Sequence, residues 1–188
     1  MTRTPLLDMT PEMLETATGD AQALLAGAKA KLGFLPNMYG YMAKLPPVLA
    51  GYLSTYDAFR AQAGFTPAEQ ETVFLTISRV NGCTYCTAAH PMIADKRSGV
   101  SADNLAALRA GDNLPDAKLQ AVAAFTEAML LSRGNPGKPA VDAFLSAGYA
   151  EQHVLGVVLA IACKTFSNYV NHLAGTPVDA VFAPYKLD

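Results

Sequence analysis

"TPAEQETVFLTISRVNGCTYCTAAH", residues 66–90, is the stretch on which the fold turns. It opens with a helix start. Thr66 can cap, Pro67 suits the first helical position, and Glu69 lies three residues after Thr66, as a reciprocal capping box requires. Val73, Phe74, Ile77 and Val80 then recur at the 3.6-residue period of an amphipathic helix. Asn81-Gly82 ends it, because both residue types tolerate the left-handed conformation of a C-cap. A second helix is expected from about Cys83 to about Arg97, so two helices meet across a very short turn.

Outward from this pair, helices are readable at about 18–32, 46–63, 101–110, 116–132, 139–146 and 150–174. Leu119, Val122, Ala123, Thr126, Met129 and Leu130 share one face of the 116–132 segment. "HVLGVVLAIACKTF", residues 153–166, is apolar almost all round and is expected to be a central buried helix. Pro and Gly clusters such as "GFLPN", "LPP", "GNPGKP" and "GTP" mark the connections. Alternating strand patterns, internal repeats and low-complexity tracts are absent. The reading is an all-α chain forming one compact multi-helix domain over 1–188. Residues 1–60 form an N-terminal helical layer on a 61–188 core that carries the motif.

Composition narrows the function classes. Hydrophobic residues make up 51% of the chain and charged residues 16%, enough for a large core with apolar surface left for burial between subunits. The net charge of −2 and the absence of a basic run remove the electrostatic footprint for nucleic acid. The N-terminal "MTRTPLLDMTPEML" lacks the apolar core of a signal peptide. The apolar run "VLGVVLAIAC", at ten residues, is too short to span a bilayer. A soluble cytoplasmic protein with no membrane partner is expected. In that reducing compartment a C-x-x-C pair is more readily redox-active or metal-binding than a structural staple.

The chain has three Cys and three His, and residues 83–90 hold three of these six. With Cys83 at a helix start, Cys83, Cys86 and His90 fall within about 60° of one another on the helix surface. The unsatisfied N–H groups and positive dipole of the first turn favour a thiolate there, and a neighbouring imidazole favours it further. Two thiols at this spacing can close a disulfide, one attacking an oxidant and the other resolving the product. Glu71 lies about 15 Å before the turn and His90 about 10 Å after it. If the two helices pack antiparallel, Glu71 meets His90 with Cys86 beyond, the order of an oriented base activating a nucleophile.

Competing readings attach to each residue. Cys83, Cys86 and His90 could ligate zinc with Glu71, His153 or His172 as a fourth ligand, although no second ligand pair is visible. Glu71 could be a solvated first-turn carboxylate, whereas Glu69 has its place in the capping box. Cys163 reads as core, and Tyr149, Tyr169 and the Met residues read as packing. His172, with Asn168 and Asn171, reads as a capped or interface-facing helix end, with a substrate-pocket role as the alternative. There is no Gly-rich phosphate loop, no G-x-S-x-G and no sign of nicotinamide, flavin or haem, so no cofactor is expected.

The pattern Glu71, eleven residues, Cys83-Thr84-Tyr85-Cys86, three residues, His90 resembles the alkylhydroperoxidase D-like family, within the carboxymuconolactone decarboxylase superfamily. "GFLPNMYGYMAKLPPVLAGY" at 33–52 and "NYVNHLAGTPVDAVF" at 168–182 resemble its peroxidase-related subgroup, so the likeness covers most of the chain. The resemblance implies an all-α fold, a homo-oligomer (dimer, trimer or hexamer) and a thiol redox centre that reduces hydroperoxides. It implies Cys86 as the attacking thiolate, Cys83 as its resolving partner, His90 and Glu71 in a proton relay, and an external dithiol or redox protein as electron donor. It leaves two alternatives: a disulfide-exchange adaptor for a peroxiredoxin, and a decarboxylase-like or lactone-processing enzyme, a type that lacks the cysteine pair. Some family members carry a second His between the two cysteines. Tyr85 stands there in this chain, which implies a shorter or water-dependent relay. Pro91 is expected to kink the helix after His90 or to end its first segment.

Overall fold

A computed structural model describes residues 4–187. The expectation on the N-terminal stretch rests partly on residues 1–3, which lie outside the described residues. The fold is all-α, with no strand among the described residues. In chain order the helices are α1 (Gly19–Leu32), α2 (Asn37–Met42), α3 (Pro46–Gln62), α4 (Pro67–Val80), α5 (Cys86–Arg97), α6 (Ala102–Ala110), α7 (Ala117–Leu131), α8 (Lys138–Ser146) and α9 (Glu151–Ala174). A short 3₁₀ segment, Ala180–Tyr185, follows.

The capping box at the start of α4 forms in both directions. Thr66 accepts from the Glu69 amide at 3.3 Å, and the Glu69 carboxylate accepts from the Thr66 amide at 2.8 Å. The end of α4 differs in part from expectation. Gly82 takes the left-handed conformation, at φ 66°, but Asn81 stays right-handed, at φ −76°. One left-handed residue suffices to reverse the chain. Asn81 is thereby released to use its side chain, which donates to Asn168 Oδ1 at 2.9 Å. The second helix also starts later than expected. Cys83–Tyr85 form a turn and Cys86 is the first residue of α5, so the C-x-x-C straddles the helix start. The α5 helix runs through Pro91 to Arg97 without interruption.

Two elements escaped the periodic reading. The short helix α2 contains Gly40, a poor helix former. A Cβ at that position would lie 2.7 Å from the Glu12 carbonyl oxygen, so the glycine is there for close backbone approach. The 3₁₀ segment contains Pro184 and buries only Phe182.

The centre of the fold is α4, not α9. Every residue from Glu69 to Ser78 is buried, and α5, α7 and α9 pack around it. Most of its polar residues survive there because they have partners, Thr76 Oγ1 being the exception. Ser78 and Thr72 donate to carbonyls one turn back, and Gln70 donates to the carbonyls of Arg60 and Phe65. By contrast α9 buries one face against α2, α3 and α4 and leaves Leu155, Val158, Tyr169 and Leu173 exposed. Although the apolar run inside it is short, the whole 24-residue helix is long and apolar enough by composition to cross a membrane. Here its inner face belongs to the protein core, and that face carries Lys164, Ser167, Asn168 and Asn171.

Candidate dithiol site

Three helices build the site. The α4 helix supplies Glu71, α5 with its preceding turn supplies Cys83, Cys86 and His90, and α9 supplies Lys164, Asn168 and Asn171. The last three recur at i, i+4 and i+7 and therefore share one face of α9. The sequence-derived residues converge: His90 Nδ1 lies 2.8 Å from Glu71 Oε2, and the Cys86 amide points at Cys83 Sγ at 3.3 Å. The short turn between α4 and α5 makes both contacts possible. It holds the helices side by side in matching register.

Glu71 is completely buried. One carboxylate oxygen faces His90, and the other accepts a short hydrogen bond from the Arg60 guanidinium of α3. Burial alone would raise its pKa, but His90 and Arg60 together hold the carboxyl below its ordinary range. Arg60 is fixed in turn by Gln70 Oε1 at 3.1 Å and Tyr56 Oη at 2.9 Å. An ionised carboxylate only accepts, so His90 Nδ1 carries the proton and Nε2 presents a lone pair. Lys164 Nζ donates to that Nε2 at 2.8 Å. Burial, then the Lys164 charge, hold the His90 pKa below its usual value against the pull of Glu71. The imidazole is neutral.

The expected order was carboxylate, imidazole, thiol. The structure inserts Lys164 between the imidazole and the sulfur. Lys164 is 1% exposed and has no carboxylate partner among the described residues. A buried ammonium needs a counter-charge, and the group that can supply one is Cys86. Burial would raise the Cys86 pKa, yet the hydrogen bond from the Cys83 thiol and then the Lys164 charge bring it well below that of a free thiol. Asn168 Nδ2 adds a donor to its sulfur at 3.1 Å, and Asn171 Nδ2 another at 3.5 Å. Cys83 moves the opposite way. Burial and the adjacent Cys86 sulfur push its thiol well up, so it stays protonated. With Cys86 ionised, two cations, Arg60 and Lys164, balance two anions, Glu71 and Cys86. The site is then neutral as a whole.

Tyr85, which stands where some relatives carry a relay histidine, turns elsewhere. Its hydroxyl makes a short hydrogen bond to Asp179, beside the 3₁₀ segment, and its ring packs edge-on against Phe182. Burial and Asp179 keep its phenol protonated. Its work is to fasten the C-terminal segment over the turn. The other candidates lie apart. His153 Nδ1 accepts from the Ala150 amide at 2.9 Å, and its ring packs on Phe65. Cys163 is core. Among the described residues no group of three or more His, Cys, Asp or Glu side chains is placed to hold a metal ion. All three cysteines are free thiols.

Sequence reasoning missed Arg60 and Lys164, and for Asn168 and Asn171 it preferred a helix cap or interface over the pocket role it left open; both face the sulfurs. A signal existed: a single Lys in an apolar helix, followed by Asn at i+4 and i+7, is one polar stripe that needs a buried reason.

Residues 46–129 match the model of the carboxymuconolactone decarboxylase family. No curated protein matches the chain in sequence. The fold is that of the alkylhydroperoxidase AhpD core in a peroxidase-related protein from Ralstonia eutropha JMP134, at 18% identity over 95% of each chain with a TM-score of 0.81. A peroxidase-related protein from Silicibacter sp. TM1040 shares it at 21% identity over 96% of this chain and 93% of that one, with a TM-score of 0.71. So does a cysteine-to-alanine variant of the debrominase Bmp8 in complex with 2,3,4-tribromopyrrole, at 18% identity over 97% of each chain with a TM-score of 0.77.

Proposed function

Residues 46–129 belong to the carboxymuconolactone decarboxylase family, and on that premise we propose that the chain is a thiol-dependent oxidoreductase that reduces organic hydroperoxides. The observation that carries the reading is geometric: Asn168 and Asn171 donate to Cys86 Sγ at 3.1 and 3.5 Å, and the Cys83 sulfur lies within the same turn, 3.3 Å from the Cys86 amide, an arrangement that favours a Cys86 thiolate beside a Cys83 thiol. Cys86 attacks the terminal peroxide oxygen, the O–O bond breaks, and an alcohol leaves as Cys86 becomes a sulfenic acid. The alkoxide takes its proton from the Lys164–His90 pair, whose imidazole Glu71 orients. Cys83 then attacks the sulfenic sulfur and releases water, leaving a Cys83–Cys86 disulfide. An external dithiol, free or on a redox protein, attacks that disulfide and restores both thiols. Self-association belongs to the same proposal. It is supported by the outward stripe of Leu155, Val158, Tyr169 and Leu173 on α9, which leaves apolar surface for a second copy.

The test is a free-thiol count on reduced, native protein before and after one equivalent of organic hydroperoxide. Loss of two thiols, with paired loss prevented by Cys83→Ser or Cys86→Ser, supports the reading. Three thiols surviving the oxidant overturns it. Tribromopyrrole run in parallel provides the contrast. Thiol loss with bromide release there, and none with hydroperoxide, would move the chemistry from O–O to carbon–halogen cleavage.

A further inference from the structure

A cavity of about 370 Å³ lies between α2, α3, α5 and the 3₁₀ segment, and His90 forms part of its wall. Its lining is unlike the rest of the molecule. Phe34, Tyr39, Tyr52, Tyr56, Tyr85 and Phe182 all face it, four of the eight Tyr and two of the eight Phe in the chain. The rings form a row. Tyr39 and Tyr52 meet edge to face at 5.7 Å between centroids, and Tyr52 and Tyr56 follow at 5.8 Å. Methionine and aliphatic side chains fill the gaps between them.

The charges in the wall are mostly satisfied within the protein. Lys31 pairs with Asp57 at 2.6 Å and Arg60 pairs with Glu71; among the described residues the one lining cation without an ion-pair partner is Arg97, which is exposed to solvent. The wall therefore offers ring faces and edges, not a charged binding site. Hydrogen peroxide, little larger than a water molecule, would gain nothing from such a wall and would leave most of the space unfilled. An aryl group would exchange water contact for ring–ring contact along the tyrosine row.

We infer that this cavity is the substrate chamber and that it takes a ring-bearing, uncharged organic hydroperoxide, aryl group against the tyrosine row and peroxide group at the His90 end. The inference rests on the hydroperoxide reading and names its substrate class. Ala89 and His90, both in the cavity wall, lie three and four residues after Cys86 and share its side of α5; Cys86 itself is buried behind that wall and does not line the cavity. The reaction balances as before: one hydroperoxide and two thiols give one alcohol, one water and one disulfide.

Two measurements test it. The first is calorimetric binding of 2-phenyl-2-propanol, the alcohol product of cumene hydroperoxide, to the redox-dead Cys83→Ser/Cys86→Ser protein, with tert-butanol as comparison. Binding at least tenfold tighter for the aryl alcohol is expected, and equal affinity would overturn the proposal. The second is the ratio of kcat/KM for cumene hydroperoxide to that for hydrogen peroxide. Filling the chamber by Ala89→Leu, or by Ile93→Phe at a half-buried lining position, is expected to lower that ratio at least fivefold. An unchanged ratio in a folded variant would overturn the proposal. If no hydroperoxide oxidises the native dithiol, the functional reading fails, and the binding experiment on the redox-dead protein still decides whether the chamber selects rings.

Discussion

Cys86 and Cys163 are buried to the same depth, 1% and 0% exposed, and sit in opposite chemical states. Around Cys163 desolvation dominates and pushes the thiol up to about 11, even though the Lys164 charge pulls it the other way. Around Cys86 the same desolvation is overcome by donors and cations, and the thiol falls well below its free value. Lys164 follows Cys163 directly in sequence, but successive residues on a helix point about 100° apart. Its ammonium therefore bonds to His90 and faces Cys86. Burial sets the default for a thiol, and the partners around it decide whether the default holds.

The sharpest way to break this comparison is to remove each sulfur in turn. Cys86→Ser should lower hydroperoxide turnover at least about a thousandfold, since it deletes the nucleophile. Cys163→Ala should leave turnover within about twofold and cost only the stability of a small core truncation, roughly 1 kcal/mol. Steady-state peroxide consumption and urea melts of both variants settle the point. A Cys163→Ala enzyme as dead as Cys86→Ser would show that the two environments are not functionally distinct.

The next effect comes from the cation that separates the two environments. Lys164→Met keeps the volume and removes the charge. The Cys86 thiol is held down in the native protein, so its thiolate persists as pH falls below the free-thiol value of about 8.5. Its contribution to stability is present above that value and is lost as pH falls through the depressed native pKa. In Lys164→Met the alkylation midpoint should rise, and iodoacetamide labelling at pH 7 should slow by about tenfold to a hundredfold. A profile that does not move would assign the thiolate to the helix start and the asparagines instead.

Glu71 acts at one remove, through His90. Glu71→Gln leaves Arg60 and the imidazole without their shared anion and should lower turnover about tenfold. Losing one partner of a buried charge pair is expected to cost on the order of 3–5 kcal/mol. The pH signature separates this from ordinary packing damage. A depressed carboxyl contributes stability above its unfolded value of about 4.3, and that contribution is lost as pH falls further. The acid limb of thermal stability should therefore flatten in Glu71→Gln. An unaltered acid limb would mean that Glu71 is not ionised in the native state.

How much of this was legible in the sequence follows the range of the interactions. The α4 start was readable because a capping box is local, four residues long and chemically explicit. The meeting of Glu71 with His90 was readable because a short turn turns residue counting into distance. Lys164 and Arg60 were not, since their partners lie 74 and 11 residues away, across connections whose geometry no local rule supplies. The α2 helix was hidden by Gly40, whose reason is the backbone of Glu12. The exact start of α5 was displaced by two contacts: the Cys83 amide bonds locally to the Ser78 carbonyl at 2.9 Å, extending the end of α4, and Tyr85 is latched to Asp179, 94 residues away.

The smallest expected effect tests the finest part of the comparison. Asn168 donates to Cys86 Sγ at 3.1 Å while its Oδ1 accepts from Asn81 at 2.9 Å, so one side chain ties the nucleophile to the end of α4. Among the described residues no comparable amide donor reaches Cys163. A hydrogen bond to a charged group is worth about 1.5–3 kcal/mol, but sulfur is a weak acceptor, so about 1 kcal/mol, roughly a fivefold effect, is expected here. Asn168→Ala should accordingly slow Cys86 alkylation at pH 7 by about fivefold, well short of the Lys164→Met effect. Asn168→Asp keeps the shape and brings an anion to the sulfur. It should slow alkylation more than the alanine does, because a carboxylate disfavours a thiolate beside it. If the alanine and aspartate variants instead label equally fast, the asparagine holds the turn in place and the cations alone hold the charge on Cys86.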